Sequence, residues 1–214
     1  MNRLICLTIA LLFSNLANAT ILSVAGGLSS NGVAASIIAA PTFVLDDTVT
    51  NLAQQGFNEK QGVLLGSALL VDGGSIAAGT VVNSHMIFLN QPSPGSTVHA
   101  SVAWTFSGTI LGVMSDLFGT LEVASTPLLG AIGTTYPGAA FIGRGMEGGD
   151  SYTGVGSSVL TVSMAVTQPG DWIRVVTATT VPEPATIALL TFGLFGIASG
   201  NRKNCRKTSV KTTG

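Results

Sequence analysis

The chain has 214 residues, only 9% of them charged, and a formal net charge of −1. That total hides an asymmetry. Ten acids face three bases between Thr20 and Pro184, a net of −7, which argues against nucleic-acid phosphate and anionic surfaces as partners and favours uncharged glycan, cations or other proteins. The two cysteines, Cys6 and Cys205, lie near the ends, so the part between them must rest on its core without a disulfide.

Met1-Asn2-Arg3, the apolar run Leu4–Phe13 and Ala17-Asn18-Ala19 follow the order of a secretory signal peptide with an A-x-A cleavage site. Residues 1–19 are therefore read as a signal peptide cut after Ala19, with export by the general export machinery. Residues 20–180 are read as one cargo domain. About 165 residues can bury roughly two-thirds of their unfolded surface, so no covalent staple is required.

Within that domain the signals are those of strands. Thr20–Ala40 is small and mild, and Asn31-Gly32 predicts a turn between two short strands. Thr50–Phe57 is given a turn or two of helix. Gly62–Val71 is an apolar run stopped by Asp72-Gly73-Gly74, and Thr80–Leu89 alternates loosely before Asn90–Gly95. His99–Phe106 puts Val102, Trp104 and Phe106 on one face, and Thr109–Met114 follows a Ser107-Gly108 turn. Asp116–Leu129 is left open between a short helix and a hairpin. Ser158–Thr167 alternates most cleanly, with Leu160, Val162, Met164 and Val166 on one side. Gln168–Asp171 then turns into a last strand, Trp172–Thr177. Many short strands with regular turn signals predict a mainly β fold, an antiparallel β-sandwich or jelly roll.

The chemistry-bearing residues each have a bland reading that competes with the functional one. His85 and His99, with an acid such as Asp116, would make a metal site only if one sheet paired their strands; a hydrogen-bonded structural histidine is preferred. No G-x-S-x-G elbow occurs. Carboxylate pairs for glycoside hydrolysis can be drawn from Glu59, Asp116, Glu122, Glu147, Asp150 and Asp171, although acids beside glycines usually form turns. Asp46-Asp47, Asp72-Gly73-Gly74 and Glu147-Gly148-Gly149-Asp150 offer hard oxygens for calcium, and turn formation is again preferred. Trp104 reads as core. Trp172 and Arg174 share a face, where an exposed indole under the guanidinium would be a cation–π pair rather than a ligand platform, and Tyr136 and Tyr152 are the aromatics best placed to touch sugar. The expectation is a non-enzymatic protein with no catalytic residues and no required cofactor or metal.

The C-terminal segment, 181–214, has three parts. Val181-Pro182-Glu183-Pro184 is stiff and extended, because proline fixes φ, lacks an N–H and restricts its predecessor. Residues 185–200 are uncharged at least to Ser199, where a helix would measure roughly 23 Å against a hydrocarbon core of about 30 Å, a short span. The tail 201–214 carries Arg202, Lys203, Arg206, Lys207 and Lys211, which stop transfer and keep the end cytoplasmic.

This order of parts resembles the PEP-CTERM sorting signal of Gram-negative bacteria, with Pro182, Glu183 and Pro184 standing at its tripeptide. The resemblance implies recognition by exosortase, a membrane-embedded protease-like enzyme, transient anchoring in the inner membrane, and release to the cell surface or extracellular matrix. Stretches such as Phe57–Gln61, Gly79–Asn90, Leu111–Asp116, Gly133–Gly138 and Gly170–Thr177 are similar to those of one group of PEP-CTERM cargo proteins, which brings no activity with it. The function expected is a surface or matrix protein associated with exopolysaccharide. A glycan-active hydrolase or lyase and a self-associating envelope component are the alternatives.

Overall fold

A computed structural model describes residues 20–45, 50–91 and 95–179, all within one compact unit, Ala17–Thr180. The signal peptide with Ala17 and Ala19, the Asp46-Asp47 pair and the segment 180–214 lie outside the described residues. In chain order the unit contains β1 (Ile21–Ala25), β2 (Ser36–Ile37), β3 (Gln55–Asn58), β4 (Val63–Leu64), β5 (Leu69–Val71) and β6 (Gly74–Ile76). There follow β7 (Val81–Leu89), β8 (Thr97–Phe106), β9 (Ile110–Met114), α1 (Thr120–Leu129), β10 (Ser151–Thr153), β11 (Val159–Val166) and β12 (Asp171–Ala178).

The fold is mainly β, with several antiparallel sheets and one short helix. A four-stranded sheet runs β1-β8-β11-β10 and a six-stranded sheet runs β2-β3-β7-β12-β9, with β4 following β3 along the same edge of β7. The second sheet departs from the all-antiparallel expectation at its edge, where β2 pairs with β3 in parallel. The Asn31-Gly32 turn forms, with Gly32 at φ 75° and a bridge between Leu28 and Ala34. The strands on either side of it nevertheless part, β1 to the first sheet and β2 to the second. No helical turn occupies Thr50–Phe57; its last residues enter β3, where pairing with β7 outweighs weak local preference.

One apolar cluster joins the sheets. It takes Val102, Trp104, Phe106, Leu160, Val162, Met164 and Val166 from the first, and Ile87, Leu89, Ile110, Val113, Ile173 and Val175 from the second. The expected inward rows of β8 and β11 are thus the core rows. β11 alternates buried and part-exposed positions, as a strand with one covered face should. β7 and β12 are buried at nearly every position, because the second sheet is covered on both faces. Its far face carries two further clusters, one around Val82, Met114, Leu129 and Val176, the other around Val44, Phe57, Met86, Phe88 and Trp172. Trp172 is therefore fully buried, its Nε1 donating to Val44 O at 2.7 Å, so the exposed pairing considered for it with Arg174 does not arise.

Gly56 shows how closely the layers meet. A Cβ there would lie 2.5 Å from the Trp104 ring, itself held by a 3.0 Å bond from Nε1 to Gln54 Oε1. Gly56→Ala is expected to lower stability by about 1–3 kcal/mol through overpacking. An unchanged urea midpoint would show that the indole can step aside.

Candidate functional site

Acids and bases meet on the far face of the second sheet, between its two apolar clusters. Arg174 in β12 shares that face with Trp172 and Val176 by strand alternation, so its guanidinium is fully buried. A charge buried there needs partners. Glu59, just after β3, supplies a bidentate one: Nε to Oε2 is 2.7 Å and Nη2 to Oε1 is 2.8 Å. Glu122 of α1 supplies the next, with Oε1 3.1 Å from Nη2, while Nη1 reaches Glu122 O and Ser125 Oγ at 2.6 Å each.

The network closes through the segment after α1. Arg144 donates to Glu122 Oε2 from Nε at 2.8 Å and from Nη2, and its Nη1 holds Pro137 O and Ala139 O at 2.6 and 2.7 Å. Tyr136 donates to Glu59 Oε1 at 2.6 Å and accepts from Ala131 N at 2.8 Å. The Arg174 guanidinium stacks over the Tyr136 ring at 5.6 Å, and Arg144 over Phe141 at 5.7 Å. Two arginines thus neutralise two glutamates. Burial works against the charge on Arg174, but Glu59 and then Glu122 outweigh it and hold its pKa above the ordinary value. Burial, and next the Glu59 charge, pushes the Tyr136 hydroxyl up.

Chemically this is a clamp. The carboxylates that the sequence offered for hydrolysis, Glu59 and Glu122, are each tied to arginine, and the helix is fastened to the sheet through them. The start of α1 is secured separately. Asp116 accepts from Thr120 N at 2.8 Å and Leu121 N at 3.0 Å. Its burial raises its pKa, but these bonds and the Thr120 hydroxyl overcome that and leave it below the usual value.

The two histidines fall in different sheets, His85 on β7 and His99 on β8, so the sheet pairing that a shared metal site required does not occur. His85 Nδ1 lies 2.8 Å from Asn58 Oδ1 and Nε2 lies 3.0 Å from Thr177 Oγ1. Ile21 N also donates to that Asn58 atom, which marks it as oxygen and places the imidazole proton on Nδ1. His99 takes Gln54 N at Nδ1 and faces Gly27 O at Nε2, both at 3.1 Å. Two of the turn acids are engaged as well. Asp150 caps Glu147 N at 2.8 Å and Ala165 N at 2.7 Å, and Asp72 bonds Ser115 and the Tyr152 hydroxyl. Burial, followed by the Asp72 charge, pushes that tyrosine up to about 12. Among the described residues no three His, Cys, Asp or Glu side chains group as metal ligands. Both tyrosines proposed for sugar contact are half-buried and spend their hydroxyls internally.

Sequence reasoning missed the clamp. One signal for it was present: Arg174 stands among Trp172, Ile173, Val175 and Val176, where a buried charge demands a carboxylate. Which carboxylate was not readable, since Glu59 is 115 residues away in the chain.

The described chain ends just past β12. Ala178 N donates to Thr109 O at 2.8 Å and Thr179 Oγ1 to Val81 O at 3.3 Å, so the chain is still held to the sheet three residues before Pro182. Among the described residues no helix is long and apolar enough to cross a membrane. No curated protein and no solved structure matches the chain. The family model described as the PEP-CTERM protein-sorting motif matches residues 180–203, which contain Pro182, Glu183, Pro184, Arg202 and Lys203. The chain therefore carries a PEP-CTERM sorting signal, which implies export and processing by exosortase, a membrane protease.

Proposed function

We propose that this is a non-catalytic surface or matrix protein whose β-sandwich domain, residues 20–180, is exported after cleavage at Ala19, sorted by its C-terminal signal and associated with exopolysaccharide. The sorting motif at residues 180–203 carries the reading. Support comes from the folded unit. Its histidines and the carboxylates Glu59 and Glu122 are committed to internal bonds. The outward rows of β8 and β11 are short neutral side chains such as Ala103, Thr105, Thr161 and Ser163, an uncharged sheet face suited to neutral polymer.

Two experiments test it. Glu183→Ala is expected to leave most of the chain unprocessed and membrane-retained in the native host, read by mass and fractionation. Processing equal to wild type overturns exosortase recognition. In a polysaccharide pull-down, retention without release of reducing ends supports binding; turnover, or oligomers with no glycan affinity, overturns the assignment in favour of catalysis or self-assembly.

A further inference from the structure

The folded unit has two chemically different ends. At one end Thr20 O accepts from Ser107 N at 3.0 Å, and two residues further on Thr109 O accepts from Ala178 N at 2.8 Å. The first and last strands therefore leave beside the same β8–β9 link. The neighbouring loops are tied to this end. Leu64 pairs with Val81, the residue that binds Thr179; Leu65 N reaches Thr80 O at 2.9 Å; and Gly156 N reaches Ile110 O at 2.9 Å.

No charged residue occurs in the segments that build it: Thr20–Ser23, Gly62–Leu70, Gly74–Val81, Ser107–Thr109, Gly154–Val159 and Ala178-Thr179. Apolar side chains stand out there, with Leu64 63% exposed, Leu22 58% and Val155 50%. The acids Glu147, Asp150 and Asp171 belong to the other end, where Asp171 pairs with Leu89 and Asp150 holds Ala165 N.

We infer that this uncharged pole is a membrane-resting surface, on which the domain sits against the lipid interface while it is anchored. The inference rests on the sorting reading. Only residues 180–184 separate Thr179 from the apolar run at Ala185, a connection of at most roughly 20 Å even fully extended. The signal peptide joins directly at Thr20, so both apolar segments of the precursor attach at this pole. The acids Glu147, Asp150 and Asp171 lie at the opposite end by strand register, a separation greater than surface charge reaches through salt, so they do not oppose the arrangement. Exposed Leu64 and Val155 gain by leaving water at the interface, and none of the segments that build the pole carries a charge that has to be desolvated; the one charge in the connection is Glu183.

The test uses the full chain with Cys6→Ser and Cys205→Ser. One new cysteine is introduced at a time, by Leu64→Cys, Val155→Cys or, at the acidic end, Gly148→Cys, and labelled with an environment-sensitive fluorophore. Each chain is reconstituted into vesicles of phosphatidylethanolamine and phosphatidylglycerol containing brominated lipid. Flotation reads the anchor and quenching reads the pole. The expected result is flotation of all three, with most fluorescence lost at 64 and 155 and retained at 148. Flotation without loss at 64 and 155, or with equal loss at all three, overturns the membrane-resting surface and leaves the anchor standing. Failure to float overturns both. Label-to-label contact at 64 or 155 in place of quenching assigns the pole to a second copy of the chain and likewise overturns it.

Discussion

Arg174→Met is expected to destabilise the folded unit by about 3–5 kcal/mol, measured by urea unfolding of residues 20–179. The substitution keeps an unbranched apolar stem in the core but leaves Glu59 with Tyr136 and Ser84 and no cation, and Glu122 with Arg144 and the Thr126 hydroxyl. The loss comes mainly from the carboxylate left behind. Adding Glu59→Gln to Arg174→Met should therefore recover part of the stability, a coupling that independent sites do not show. Arg174→Lys should recover little, because an ammonium cannot reproduce the two-pronged contact with Glu59 while also reaching Glu122 O and Ser125 Oγ. A cost below about 1 kcal/mol for Arg174→Met would mean that water enters the site and the clamp does not fasten α1.

Acid should loosen the protein through His85. Burial lowers its pKa from 6.5 to about 3, and the groups against the ring, Asn58 on β3, Thr177 on β12 and Phe106 on β8, carry no charge to offset that. The unfolded chain takes up the proton below pH 6.5 while the folded chain refuses it until about pH 3. The stability contributed by neutral His85 is thus complete above pH 6.5 and is lost as pH falls toward 3, by at most about 1.4 kcal/mol per pH unit. His85→Gln removes this titration and should flatten the slope of unfolding free energy against pH across that window. Identical slopes for variant and wild type would show that the buried ring accepts its proton in place. Comparing slopes separates the effect from the carboxylates, which titrate in both proteins.

The clamp and the histidine mark where local sequence pattern stops and tertiary packing takes over. Alternation along Ser158–Thr167 and His99–Phe106 determined which residues of β11 and β8 face the core, because a period of two leaves a half-covered strand little choice. The glycine and proline signals marked turns, and the ordered parts of residues 180–203 identified the sorting signal, since a linear motif is legible along the chain without any fold. Tertiary structure alone decided that β7 and β12 are covered on both faces, which buries Trp172 and turns Arg174 from a surface charge into the centre of an ion network. It also decided that β1 and β2 separate, and that the loops around Thr20 and Thr179 gather into one uncharged end. Local pattern tells a strand that it has an inside. Which distant carboxylate meets a buried arginine, and which loops share a pole, depends on sheet order, and sheet order is set by packing between segments far apart in the chain.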